Sequence, residues 1–175
     1  MHFSVIYLFL TLCSPDTSSF YSLSISRPDG SQLSMAAFAG RKVMVLTFDA
    51  SNPDRAMLLM ADSLQKADSS AIVVGVPAAD FTGYASDSTL TLLHDSLGVS
   101  YPFTHAVLVT RTNGANQQGL FKWLTDVTLN QHFDRDVEAP GQLFLVSEQG
   151  VLYGIFTKDT SSTDILNALN QSISQ

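Results

Sequence analysis

Three carboxylates fall where two hydrophobic runs end. Asp49 and Asp54 bracket the segment 50–53 just after the run VMVLTF at 43–48, and Asp80 follows the run IVVGV at 72–76. If the two runs are neighbouring parallel strands, all three acids stand near one carboxyl edge, where open α/β sheets hold ligands. Oxygen donors there suit a hard cation or a polar ligand, although a calcium-like ion takes about six to eight oxygens and three carboxylates supply few of them. The same residues have a structural reading: Asp54 as a negative charge at a helix N-terminus, Asp49 and Asp80 as caps of loop amides.

A second cluster lies in QHFDRDVEAP at 131–140, where His132, Asp134, Asp136 and Glu138 surround Arg135. Metal binding is one reading, and a solvated loop with local charge pairing is the other. His94 and His105 have no nucleophile or acid partner within sequence reach, so no Ser-His-Asp triad is implied. Trp123 reads as a core anchor. Thiol chemistry is nearly closed off. The single cysteine, Cys13, lies ahead of any folded core, which excludes an intramolecular disulfide, a Cys-rich zinc cage and a two-cysteine redox motif.

The elements that must position these residues belong to one domain, because 175 residues at 45% hydrophobic content support a single full core. With nine Lys and Arg against sixteen Asp and Glu, the net charge of -7 would repel a phosphate backbone, so nucleic acid is not an expected partner. Residues 1–19 read as a leader and 20–175 as the domain. Phe3 to Leu12 is apolar or weakly polar, and as a helix would span about 15 Å, half a bilayer core, which suits a secretory h-region better than a membrane span. LTLC, at 10–13, is similar to a bacterial lipobox, which makes Cys13 a candidate lipidation site. Export follows: the protein is expected to be periplasmic, secreted or lipid-anchored, touching a membrane only through that anchor.

Within the domain, a hairpin is expected from Ser22–Ile25 and Leu33–Met35 around RPDGSQ, since Pro-Asp-Gly supplies the preset and permissive φ of a tight turn. Val43–Phe48 and Ile72–Val76 are strands buried on both faces. Between them Pro53–Lys66 is a helix with Ser51 or Asn52 as cap, completing a βαβ unit. Thr89–Leu97 is a second helix that stops at Gly98. Phe103–Val109 is extended, Thr112–Asn116 turns, and Gln117–Leu124 is helical. Leu143–Val146 and Val151–Phe156 form a closing hairpin before an amphipathic helix at Thr163–Ile173. The result is an α/β domain with a mixed central sheet flanked by helices and an N-terminal β-hairpin.

A parallel βαβ half followed by an antiparallel ββα half is the thioredoxin-like arrangement, and several segments narrow the likeness. FYSLSISRPDGSQLSMAAFAGRKVMVLTFDAS (20–51), VGVPAADFTG (74–83), GVSYPF (98–103), TNGANQQGLFKWL (112–124) and LFLVSEQGVL (143–152) together resemble the glutathione peroxidase family. That resemblance implies a glutathione- or thioredoxin-dependent peroxidase active in oxidative stress. It also implies a Cys or selenocysteine just beyond Ala50-Ser51, a Gln after the Gly-x-Pro turn and a Trp-Asn pair before the strand at 143–146. Here those positions fall on Ser51, Asn52 and Pro53, on Asp80, and near Ala139 and Pro140.

The resemblance therefore implies the fold without its catalytic groups. A helix N-terminus that would ionise a thiol is kept, but serine offers no soft, oxidisable atom to accept a peroxide oxygen. The expectation is a catalytically inactive relative that acts as a binding or interaction module for a small ligand or a protein, with no cofactor or metal. The alternative is a peroxidase or other oxidoreductase using an unrecognised residue. The short stretch from Leu124 to Phe144 resembles the family's monomeric branch, so a monomer is expected.

Overall fold

The computed structural model describes residues 19–171, so residues 1–18 of the expected leader, Cys13 among them, and the far end of the last predicted helix lie outside the described residues. The domain opens with strands β1 (Ser24–Ser26) and β2 (Gln32–Ser34), antiparallel with Ile25 opposite Leu33. Their turn closes through Arg27 N–H donating to Ser31 O at 2.8 Å. Asp29 accepts from the Ser31 N–H and hydroxyl at 2.9 and 2.6 Å. Gly30 sits at φ 81°, a left-handed conformation that residues with a side chain rarely adopt.

Strands β3 (Lys42–Phe48), β4 (Ala71–Pro77), β5 (Leu143–Val146) and β6 (Leu152–Phe156) form a mixed sheet in the order β4-β3-β5-β6. β3 runs parallel to β4, and β5 is antiparallel to both β3 and β6. Every residue of β3 is buried, as its unbroken apolar run requires of a central strand covered on both faces. Successive side chains point to opposite faces and so feed two cores. Val43 and Val45 pack with Phe20, Met35, Leu120 and Trp123, while Met44, Leu46 and Phe48 pack with Leu58, Leu90, Tyr101 and Ile165.

The helices are α1 (Arg55–Ala67), α2 (Ala79–Thr82), α3 (Asp87–Leu97), α4 (Gly119–Thr125), α5 (Val127–Asn130) and α6 (Ser162–Leu169). The apolar stripe Met57, Leu58, Ala61 and Leu64 of α1 joins Ile165 and Leu169 of α6 on one face of the sheet. On the other face α4 buries Leu120, Phe121, Trp123 and Leu124, and Trp123 meets Phe20 at a ring-centroid distance of 5.2 Å. No helix among the described residues is long and apolar enough to cross a membrane.

Several local expectations are corrected. α1 begins at Arg55 and is capped by Asp54, whose Oδ1 accepts from Met57 N–H at 3.1 Å. Ser51 and Asn52 do not cap it, because Asp49 holds their amides in the preceding turn. α3 starts two residues before Thr89, since Ser86 Oγ accepts from Thr89 N–H at 3.2 Å; Gly98 ends it at φ 64°. α2 and α5 are single turns, too short to show a helical period. Around 103–109 the chain is tied to the β4 edge only through isolated parallel bridges, Gly75 to Phe103 and Ala78 to Val107.

Candidate functional site

The carboxyl end of β3 leads into a tight turn organised by one side chain. Asp49 Oδ1 accepts from Ser51 N–H at 2.7 Å, Ser51 Oγ–H at 2.8 Å and Asn52 N–H at 3.1 Å. Partial burial pushes the Asp49 carboxyl up, but the bonds from Ser51 and Asn52, with the Thr82 hydroxyl, outweigh it and hold the group below the usual carboxylate range. Pro53 leaves this turn, and Asp54 then spends its carboxylate on the first turn of α1. A fixed anion thus occupies the helix terminus whose amides and dipole would otherwise stabilise an ionised thiol.

The loop before β5 approaches the same place. Thr47 anchors it from β3: its N–H and hydroxyl donate to Gln142 O at 2.9 and 3.0 Å, and its carbonyl accepts from Gly141 N–H at 2.8 Å. Buried Gln142 donates through Nε2 to Asp136 O and accepts from Glu138 N–H, both at 3.1 Å, which shapes the loop from within. Gly141 adopts φ 93°, and a Cβ there would meet Lys158 Cβ at 2.7 Å and Met57 Sδ at 3.0 Å. This close passage brings Lys158, just beyond β6, against the start of α1.

Between these segments lies a cleft of about 300 Å³ lined by Asp49, Asn52, Asp54, Met57, Ala139, Pro140 and Lys158. Asn52, Ala139 and Pro140 therefore converge around one cleft, although they come from segments almost ninety residues apart in the chain. Exposed Lys158 forms no ion pair or hydrogen bond with any described residue. The cleft offers two carboxylates, a carboxamide and one ammonium. Such a set can bind a polar ligand that carries both signs or many hydroxyls, and none of the described residues lining the cleft carries a thiol.

Asp80 stands elsewhere. Its Oδ2 accepts from Val109 N–H at 2.5 Å, and its Oδ1 from Thr110 N–H at 3.3 Å, the Thr110 hydroxyl at 2.6 Å and the Asn113 side-chain amide. Burial raises this carboxyl, but the Thr110, Val109 and Asn113 donors outweigh it and hold it low. Asp80 is thereby a pin between α2 and the 109–113 segment, and it does not line the cleft with Asp49 and Asp54. Among the described residues no three His, Cys, Asp or Glu side chains gather as metal ligands.

The acidic loop pairs locally. Asp134 takes Arg111 Nη2 at 2.6 Å, Glu138 takes Arg135 Nη2 at 3.3 Å, and Asp136 accepts from the backbone N–H of Arg111 and Val137. Folding gives His105 an acid neighbour that the linear chain conceals, whereas the acid beside His94 is the next residue of the chain. His105 Nδ1 pairs with Asp87, and His94 Nδ1 lies 3.7 Å from Asp95. No hydroxyl is hydrogen-bonded to either ring among the described residues, so no triad is formed. The sequence does not point to Met57 or Lys158, which line the cleft, or to Gly141, which lets them approach. One signal existed for Gly141, a glycine directly after a proline at a strand entrance; Lys158 had none.

No family model matches this chain, and no curated protein sequence matches it. Solved structures do. The apo form of Trgpx superposes with a TM-score of 0.68 at 17% identity, covering 87% of this chain and 93% of that one. T. cruzi GPX1 gives 0.67 at 16% identity over 87% and 94%. A thiol:disulfide interchange protein of the thioredoxin family from Chlorobium tepidum TLS gives 0.60 at 18% identity over 86% and 92%. With β3 and β4 parallel, β5 and β6 antiparallel, and helices on both faces, this chain has the thioredoxin-like fold.

Proposed function

We propose that this protein is a glutathione-peroxidase-like member of the thioredoxin superfamily that performs no thiol chemistry and works as a binding module through the cleft between Asp49, Asp54 and Lys158. The observation that carries the reading is Asp54 on the first turn of α1. A peroxidatic site needs a soft nucleophile ionised at that terminus, and a carboxylate there supplies neither the oxidisable atom nor room for a second anion. The mixed charges of the cleft support a polar ligand, with Lys158 free to meet an anionic group and Asp49 and Asp54 able to accept from donors.

The test is a coupled peroxidase assay on the full chain and on Cys13→Ser, with hydrogen peroxide or cumene hydroperoxide as oxidant and glutathione or thioredoxin as reductant. Neither protein should turn over. Turnover by both would establish the competing reading, an oxidoreductase with an unrecognised catalytic residue. Turnover that vanishes in Cys13→Ser would assign the chemistry to the leader cysteine. The same expression cultures examine export, since mass spectrometry of the secreted or membrane fraction reports whether residues 1–19 are removed or Cys13 is lipidated.

A further inference from the structure

A second cleft, of about 250 Å³, opens where the turn of the N-terminal hairpin meets α3 and the segment at Pro102 and Phe103. Its walls are apolar: Pro28, Leu90, Pro102 and the ring of Phe103. Its polar groups are Arg27, Asp29, His94 and Thr91, whose hydroxyl donates to Asp87 O at 2.9 Å. None of its lining residues belongs to the Asp49–Lys158 cleft.

Arg27 is the least engaged of these groups. Its Nε is buried and has no hydrogen-bond partner, and its guanidinium forms no hydrogen bond or ion pair with any described residue. A buried N–H on a charged group is costly when nothing accepts from it. Exposed Asp29 is held low by the Ser31 hydroxyl and N–H and in smaller part by the Arg27 charge, but it forms no ion pair with the guanidinium and leaves Nε without an acceptor. His94 is oriented by its neighbours. Its Nε2–H donates to Tyr101 O at 3.0 Å, and the ring stands edge-on to Phe103 with centroids 5.2 Å apart.

We infer that this cleft binds a small amphipathic carboxylate, with its apolar body on Leu90, Pro102 and Phe103 and its carboxylate on Arg27. A guanidinium presents a planar fork that matches a carboxylate in two parallel hydrogen bonds, which a point charge such as lysine does not reproduce. The size agrees: an apolar cavity of about 150 Å³ holds one benzene ring, so the remaining volume here admits the acid group as well.

The experiment titrates the full chain with phenylacetate and follows amide and side-chain NMR shifts, with phenylacetamide as the uncharged isostere and acetate as the acid without a body. Saturable shifts should centre on residues 27–29, 90–94 and 102–103. Phenylacetamide, acetate and the Arg27→Gln variant should each bind at least about tenfold more weakly, with Arg27→Lys between Arg27→Gln and the parent. Equal binding of acid and amide, full affinity in Arg27→Gln, shifts centred on Lys158, or no saturation below about 10 mM would each overturn the assignment. If Arg27→Gln perturbs the spectrum far from the cleft, the comparison of the three probes on the unaltered chain decides.

Discussion

Replacing Asp80 with alanine should cost about 3 kcal/mol of stability, because two buried backbone donors lose their acceptor at about 1–3 kcal/mol each. Four donors converge on this carboxylate: the N–H groups of Val109 and Thr110, the Thr110 hydroxyl and the Asn113 amide. The last two have alternatives. Thr110 Oγ1 already lies 2.8 Å from Thr112 Oγ1, and Asn113 Nδ2 also donates to Thr110 O at 3.1 Å. Val109 is fully buried and Thr110 nearly so, which leaves their amides with no ready replacement. At about 2–4 °C per kcal/mol for a domain of this size, the melting midpoint should fall by about 6–12 °C. Asp80→Asn, which keeps one acceptor oxygen, should lose about half as much.

The pH dependence gives the experiment a second arm. The Asp80 carboxyl is held below its ordinary value in the folded state. Its contribution is therefore complete above the unfolded value of about 3.9 and is lost as pH falls through the lower folded value. The gap between the parent and Asp80→Ala should be constant near neutrality and close in acid. Urea and thermal unfolding across that range would measure it. A variant that melts within about 2 °C of the parent at pH 7, or a gap that widens in acid, would refute the account of Asp80 as a pin.

Gly141→Ala should destabilise by about 2 kcal/mol or more, since the left-handed backbone is strained for alanine and its Cβ would press on Lys158 and Met57; thermal melts would show it. Lys42 is buried with its ammonium donating to Leu169 O and, at 3.2 Å, to Gln171 O at the end of α6. Lys42→Met should therefore cost about 1–2 kcal/mol and speed amide exchange in α6 ahead of the sheet.

Much of the fold was legible because burial leaves a periodic mark. VMVLTF and IVVGV could only be strands covered on both faces, and Pro-Asp-Gly could only turn. The helix starts two residues beyond Pro53 for a local reason: Ser51, Asn52 and Asp54 are all good caps, and what decides among them is that Asp49 reaches forward and takes the first two amides. α5 escaped notice because a turn of four residues leaves no period to count.

The site divides in the same way. Asp49 and Asp54 could be read as edge carboxylates because they sit at the end of a recognisable strand. Asp80 could not be told from them, although folding sends it to a different task.

The fold class, the lack of a cysteine in residues 20–175 and the carboxylate at the helix terminus can be read along the chain alone. These follow from composition, periodicity and chain-local contacts. Folding alone brings Lys158 into one cleft with Asp49 and Asp54, and Arg27 to an apolar cleft beside His94. Such meetings depend on how strands and loops distant in the chain pack, and packing between distant segments leaves no period along the sequence.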